Sequence, residues 1–225
     1  MTTPRREVLA EGVEVWLADC REVLPLIEKI DAVVSDPPYG MSFHSKASKE
    51  KGRHDKIVGD ETDELLLWAC ALKPTHSAYL FCRWDNIPRV PTPTSVLTWV
   101  KNSWSMGDLE HAHARMTEIC LFYPGPKHFW VGKRPADVMT AGTTGNEHHP
   151  TEKPVNLMSY VIGFTSGIVL DPFMGSGSTG VAAVNVGRKF IGIEINKKHF
   201  DVARKRIAAA LKQPFLFVDK PEPTK

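Results

Sequence analysis

Cysteine is scarce in this 225-residue chain, and its spacing excludes a zinc knuckle. Cys20, Cys70, Cys82 and Cys120 lie 50, 12 and 38 residues apart, with no C-x-x-C pair to grip a metal. Three of them fall in apolar stretches (Trp68-Ala-Cys70, Leu80-Phe-Cys82, Ile119-Cys120-Leu121), which reads as reduced, buried thiols. Long apolar runs are missing too. Stretches such as Val181–Val184 fall far short of the roughly 18 residues that would span a bilayer. The beginning, Met1-Thr-Thr-Pro-Arg-Arg6, lacks the apolar segment of a secretory signal. Strong net charge is absent: +2 overall says nothing for or against nucleic acid. No internal repeat is present. These absences predict a soluble, cytoplasmic protein that makes no membrane contact.

What is present suits a folded enzyme. Hydrophobic residues make up 42% of the chain, enough for a core without disulfide or metal staples, and 24% are charged. With 17 Pro and 16 Gly, disordered and collagen-like compositions are excluded. At about 150 residues per domain, 1–225 reads as a single domain. Charge is unevenly distributed. Lys46 to Lys56 holds five Lys/Arg against two acids, and Arg188 to Lys212 eight against two. Such clusters suit a phosphate backbone, although a basic run is more commonly a solvated face.

Short β-like runs alternate with helical stretches, the rhythm of an open α/β sheet. Strands are predicted at Val13–Leu17, Ala32–Ser35, Ala78–Cys82, Val96–Val100, Glu118–Tyr123, Ile168–Leu170 and Lys189–Ile193. Helices are predicted at Arg21–Lys29, Glu61–Leu72, Asn156–Phe164 and Ser178–Val186, the last closed by Gly187. In the final helix, capped by Asn196, Phe200, Ala203, Ile207 and Leu211 fall on one face. Two stretches lack periodicity: a polar, basic, exposed loop from Met41 to Lys56, and a Gly/Pro/Thr/His-rich segment from Pro124 to Pro150. Unstructured stretches of this length are usually functional or disordered.

Two motifs carry chemistry. Asp36-Pro37-Pro38-Tyr39 directly follows the strand ending at Ser35, and in α/β sheets ligands bind beyond the carboxyl ends of strands. Prolines fix the backbone and leave carbonyls as unpaired acceptors. A carboxylate, a rigid carbonyl and an aromatic ring together suit a planar amine, with Tyr39 stacking on the ring; an Asp-Pro turn with a packing Tyr is the plainer alternative. The second motif is Asp171-Pro-Phe-Met-Gly-Ser-Gly-Ser-Thr-Gly180, which matches G-x-G-x-x-G at Gly175, Gly177 and Gly180. Glu194 ends the next strand 19 residues beyond Gly175, where an acid would bind ribose hydroxyls. That much fits any adenosine cofactor. No G-x-x-x-x-G-K-[ST] supports ATP hydrolysis, and the 45 residues after Gly180 are too few for a dinucleotide fold starting there. A catalytic loop first and a nucleoside loop last make the order look permuted.

These motifs, in this order, resemble the β-class DNA amino-methyltransferases, which use S-adenosylmethionine, and the resemblance covers nearly the whole chain. Trp16-Leu-Ala-Asp19-Cys20 looks like the family's adenine-pocket segment. Leu72-Lys-Pro-Thr-His-Ser-Ala-Tyr-Leu-Phe-Cys82 and Thr98-Trp-Val-Lys101 resemble its middle motifs, and Phe190-Ile-Gly-Ile-Glu194 carries the ribose acid. His149-Pro-Thr-Glu-Lys-Pro154 resembles the segment lining the methionine end of the cofactor. Departures include Lys73-Pro-Thr-His for the usual Lys-Pro-Gly-Gly and Ser178 where Thr is common. The target-recognition insert, about 124–149, is shorter than in most relatives.

The resemblance implies a three-layer Rossmann-like fold with a mostly parallel seven-stranded sheet and circularly permuted motifs. It implies catalysis by Asp36, Pro37, Pro38 and Tyr39. Cofactor contacts are expected from Asp19, Cys20, Asp36, Thr151, Lys153, Asp171, Phe173, Gly175, Ser176, Gly177 and Glu194. The expected substrate is double-stranded DNA, methylated at adenine N6 after base flipping, as in restriction–modification; a homodimer is a further expectation from relatives. The mobile basic loop at about 41–58, with Lys46, Lys49, Lys51, Arg53 and Lys56, is expected on DNA phosphates, as are Lys133 and Arg134. Asp19 serves equally as a helix cap, and Thr151 and Lys153 as a polar helix entry. His148 and His149 find no third ligand at regular spacing, so no metal is expected. His111 and His113 are DNA-facing or surface candidates; Trp99, Trp104 and Trp130 either intercalate or pack.

Alternatives stay open. Cytosine-N4 methylation uses the same machinery, but such relatives more often carry Ser where Asp36 stands. RNA or protein-amide methyltransferases share the Pro-Pro-Tyr loop yet typically place the cofactor loop first. An inactive DNA-binding module would need a broken motif, and every acid is present. A dinucleotide oxidoreductase is disfavoured by the short remainder after Gly180.

Overall fold

The computed structural model of the protein describes residues 4–40, 59–102, 113–143 and 152–213. In chain order its strands are β1 (Arg5–Ala10), β2 (Val13–Leu17), β3 (Ala32–Ser35), β4 (Ser77–Cys82), β5 (Ser95–Val100), β6 (Thr117–Pro124), β7 (Val138–Thr140), β8 (Ile168–Asp171) and β9 (Lys189–Glu194). The helices are α1 (Cys20–Val23), α2 (Glu64–Cys70), α3 (Val155–Gly163), α4 (Ser178–Asn185) and α5 (Lys197–Leu211). The strands form one sheet in the order β1-β2-β9-β8-β3-β4-β6-β5-β7. From β2 through β4 every neighbour is parallel, whereas β6 runs antiparallel between β4 and β5.

The sheet has nine strands among the described residues, where seven were expected. The two additions are edge strands. β1 pairs antiparallel with β2 through a turn at Gly12, whose φ of 72° suits glycine. β7 is three residues long and lies against β5, burying only Met139.

Alternation along the strands sorts side chains between two helical layers. Ala32 and Val34 of β3, with Tyr79 and Phe81 of β4, face α3, α4 and α5, where Leu157, Val161, Ala182, Phe200 and Ile207 complete the larger core. Val33 and Leu80 face the other way, onto Val23 of α1 and Ala69 of α2. The Asn196 side chain accepts hydrogen bonds from the Lys198 and His199 N–H groups, so α5 starts where its cap predicts. The helix expected over Arg21–Lys29 is shorter. It ends at Val23 and tightens to a 3-10 turn at Leu24–Leu26, where Pro25 has no N–H to continue the ladder. Likewise α2 begins at Glu64 rather than Glu61.

Buried Asp31 fixes the amino end of the sheet. Its carboxylate accepts hydrogen bonds from Thr75 Oγ1 and the Ile168 N–H, both at 2.9 Å, tying β3 to the entries of β4 and β8. Residues 125–128 lie at this same end: the Gly125 N–H donates to the His76 carbonyl and the Lys127 N–H to Thr75. The first part of the segment expected to read DNA is therefore strapped across the end of the sheet remote from Asp36. Trp99 and Trp130 pack. Trp99 is 2% exposed and donates to the Ala141 carbonyl, and Trp130 stacks on Phe122. Trp104 and His111 lie outside the described residues; His113 is exposed. No described helix is long and apolar enough to cross a membrane.

Candidate active site

Parallel strands that end together bring distant residues to one edge. Reading along the sheet, the carboxyl ends of β2, β9, β8 and β3 present Asp19, Glu194, Asp171 and Asp36 in that order. The contact that joins the two motifs has its donor just outside the first. Ser35, the last residue of β3, donates its hydroxyl to Asp171 Oδ1 at 2.5 Å, across a sequence separation of 136.

The Asp171 carboxylate also accepts the Phe173 N–H at 3.1 Å, and it is engaged in shaping the turn that follows β8. Burial pushes it up to about 6, with the hydrogen bonds from Ser35, Thr179 and Phe173 pulling the other way. Within the turn Gly175 and Gly177 have φ of 54° and 87°. At Gly177 the constraint is double, because a Cβ would also meet the Ala203 Cβ at 2.8 Å. Arg206 reaches over from α5, donating to both the carbonyl and hydroxyl of Ser176 and pairing with buried Glu152 at 2.7 Å. One guanidinium thus joins the glycine turn to the segment entering α3.

Glu194 is buried, with one oxygen accepting the Gly175 N–H at 2.8 Å and the other the Asn196 N–H at 2.7 Å. The Ile195 N–H also favours this carboxylate, and the acceptor capacity left over suits a ribose hydroxyl. Desolvation pushes this carboxyl up to about 7. At the end of β2 Asp19 caps α1 by accepting the Arg21 N–H, and it pairs with the Arg21 side chain. Cys20 is a buried thiol pushed up to about 12 by desolvation, hence unreactive. Phe173, half-buried, lies edge-on to Trp68 at 6.0 Å. These donors and acceptors fit the adenosine half of S-adenosylmethionine.

Asp36 stands apart from this row in its charge environment. Lys153, whose side chain is 6% exposed, places its ammonium 2.5 Å from Asp36 Oδ2. The other oxygen, Oδ1, is buried and has no hydrogen-bond partner among the described residues. Burial pushes the Asp36 carboxyl above its usual range, with the Lys153 ammonium opposing. Burial alone would lower Lys153, but Asp36 and Glu118 outweigh it and keep it protonated. The ring of Tyr39 is set by its backbone: the Tyr39 and Gly40 N–H groups donate to Asp60 Oδ1, and the Tyr39 carbonyl accepts from buried Asn86 Nδ2 at 3.2 Å. Sequence reasoning did not find Ser35, Asp60, Asn86, Glu118, Glu152 or Arg206. Lys133 and Arg134 are exposed, in the stretch between β6 and β7. Lys46, Lys49, Lys51, Arg53, Lys56, Thr151, His148 and His149 lie outside the described residues.

The sequence profile of the N6/N4 family, described as DNA methylase, matches residues 98–205. The chain is 48% identical over 228 residues to DNA adenine methyltransferase YhdJ of Escherichia coli (strain K12), covering 81% of this chain and 78% of that protein. It belongs to the N6/N4 DNA amino-methyltransferase family. Type II methyltransferase M.HinfI of Haemophilus influenzae is 32% identical over 238 residues, 84% of this chain and 66% of that one. Among solved structures, the M1.HpyAVI–SAM complex is similar at 28% identity and a TM-score of 0.65, covering 85% of this chain and 98% of that chain. Members of this S-adenosylmethionine-dependent family need a nucleoside site and an amine site side by side. The carboxyl edge of β9, β8 and β3 has the chemistry for both.

Proposed function

We propose that the protein methylates the N6 amino group of adenine in double-stranded DNA, and that Asp36 Oδ1 receives the amine. The observation that carries this reading is that oxygen: buried, unpartnered among the described residues, and one residue past the strand that Ser35 ties to the cofactor turn. A buried acceptor without a donor is costly, so its retention points to a donor that arrives with the substrate. An aspartate here, together with the name of the relative at 48% identity, favours adenine over cytosine.

An exocyclic amine is a poor nucleophile because its lone pair is delocalised into the ring. Accepting its two N–H groups at Asp36 Oδ1 and the Pro37 carbonyl shifts density onto nitrogen and favours the pyramidal form. Pro38 carries no N–H that could compete for the amine's acceptors. Tyr39, held by Asp60 and Asn86, stacks on the extruded base and recovers about 1–3 kcal/mol of lost stacking. Bound S-adenosylmethionine supplies an electrophilic sulfonium methyl. Glu194 would hold its ribose, the Gly175–Gly177 turn its amino-acid portion, and Phe173 with Asp19 and Cys20 its adenine. Asp171 keeps the turn in register with β3, so placement of the two reactants supplies most of the rate. Exposed Lys133 and Arg134 remain candidates for phosphate contacts, with binding that weakens as salt rises.

The test is incubation with labelled S-adenosylmethionine and plasmid DNA, followed by digestion to nucleosides. N6-methyladenine is expected; N4-methylcytosine or unlabelled DNA would refute the assignment. Asp36→Ala is expected to lower kcat by about 10²–10³-fold, the scale of losing one preorganised partner of the reacting group, while S-adenosylmethionine still binds.

A further inference from the structure

Lys153 does not serve Asp36 alone. Its ammonium also lies 3.2 Å from Glu118 Oε2 on β6, and the second Glu118 oxygen is 2.5 Å from Lys101 Nζ, just past β5. Four charges of alternating sign therefore run from the catalytic loop across β6 to the end of β5. Lys153 also lies over the face of Phe81 at 5.4 Å, so little water screens the contest between the two carboxylates for its charge. An ammonium held by Asp36 alone would draw density from the whole carboxylate and weaken Oδ1 as an acceptor. A second acid on the same ammonium limits that loss and fixes where the ammonium sits.

We propose that Glu118 is a positioning residue for methyl transfer: by sharing Lys153 with Asp36, it anchors the ammonium on Oδ2 and keeps Oδ1 open and electron-rich for the target amine. This rests on the reading of Asp36 above. Lys101 completes the device by balancing Glu118 from its other side. Among the described residues, the remaining ionisable groups around Asp36 are acids: Asp60, Tyr39, Asp171 on β8, and the thiols Cys82 and Cys120. Burial pushes Tyr39 and both thiols upward, so they stay neutral at working pH, while Asp171, near 6, feels the Asp36 charge and is therefore followed alongside it.

Two variants with opposite signs test the idea. Glu118→Gln leaves the Lys153 charge to Asp36 alone. The acid limb of the kcat profile should move down by about 0.5–1 pH unit and the plateau fall several-fold, with KM for S-adenosylmethionine unchanged within about twofold. Lys101→Met leaves Glu118 unbalanced, and the same limb should move up. A packing defect does not produce opposite displacements. The Asp36 carboxyl titration, followed by ¹³C NMR in the ligand-free protein, should show the same pair of shifts with no methyl transfer involved. Wild-type protein that transfers no methyl would defeat the Asp36 reading; unshifted titrations, or shifts of one sign, would overturn the Glu118 proposal. Should Glu118→Gln not fold, Lys101→Met and the NMR titration decide by the upward shift alone.

Discussion

Gly180, the third glycine of the G-x-G-x-x-G pattern, lies inside α4, and an alanine there sets two effects against each other. Alanine gains about 0.5–1 kcal/mol over glycine in a helix interior. Against this, the new Cβ would sit 2.4 Å from Ile207 Cδ1 and 2.7 Å from Phe190 Cε1. Both residues are fully buried in the larger core, between α5 and β9, with nowhere to retreat. Overpacking of this kind costs about 1–3 kcal/mol, so Gly180→Ala should be destabilising by about 1–2 kcal/mol overall. For a chain of this size that lowers Tm by about 2–8 °C. Gly163, the last residue of α3, is the matched control, since a Cβ there meets nothing within 4 Å. Gly163→Ala should raise stability by about 0.5 kcal/mol. Differential scanning calorimetry gives both values, and isothermal titration with S-adenosylmethionine should find the Gly180→Ala affinity within about twofold of wild type. If Gly180→Ala stabilised the protein as Gly163→Ala does, close packing would not be the reason for glycine. Lost affinity at an unchanged Tm would assign the third glycine to the ligand instead.

Glu194 gives a prediction with two opposite pH trends. Its folded value, about 7, is raised above the ordinary 4.5, so its contribution to stability is present below about 4.5 and lost as pH rises through about 7. The urea midpoint of the ligand-free wild type, measured relative to Glu194→Gln, should fall from about pH 5 to about pH 8 while affinity for S-adenosylmethionine rises; a flat difference would contradict the assignment. Arg206→Ala removes the cation from buried Glu152 and two hydrogen bonds from Ser176, and should cost about 2–4 kcal/mol in urea unfolding. It should raise KM for S-adenosylmethionine about tenfold and leave kcat within about threefold. A fall in kcat at constant KM would place the guanidinium in the chemistry rather than in the turn.

The central strands were legible because burial on both faces writes them as continuous apolar runs, such as Ala32-Val33-Val34 and Ile168-Val169-Leu170, bounded by polar residues. The edges were not. In β1, Arg5, Arg6 and Val8 are exposed and only Leu9 and Ala10 reach the core, so the Arg-Arg-Glu start shows no strand pattern. β7 has one buried residue, too few for any periodicity. Both join by backbone pairing to strands already formed, and that pairing leaves little trace in side-chain choice. The helix at Arg21–Lys29 was overextended because its apolar spacing outweighed Pro25 in the reading. In the chain the missing N–H prevails, and the ladder stops two residues earlier.

The site divides along similar physical lines. Asp36, Asp171 and Glu194 were readable because each ends a strand and carries its chemistry in a local run. Glu118 and Lys153 meet only after the chain has folded, and Lys153 and Asp36 are 117 residues apart. Yet one signal for Glu118 was present. It is the one charged side chain in Thr117–Pro124, followed at once by Ile119-Cys120-Leu121-Phe122 in a strand that the sheet must bury. Desolvating a carboxylate there is too costly unless a cation accompanies it. The strand therefore implies a buried Lys or Arg partner before any coordinates are seen. Two cations answer it: Lys101, from just past β5, on one oxygen, and Lys153, from the segment before α3, on the other, and it is Lys153 that reaches on to Asp36 at the end of β3.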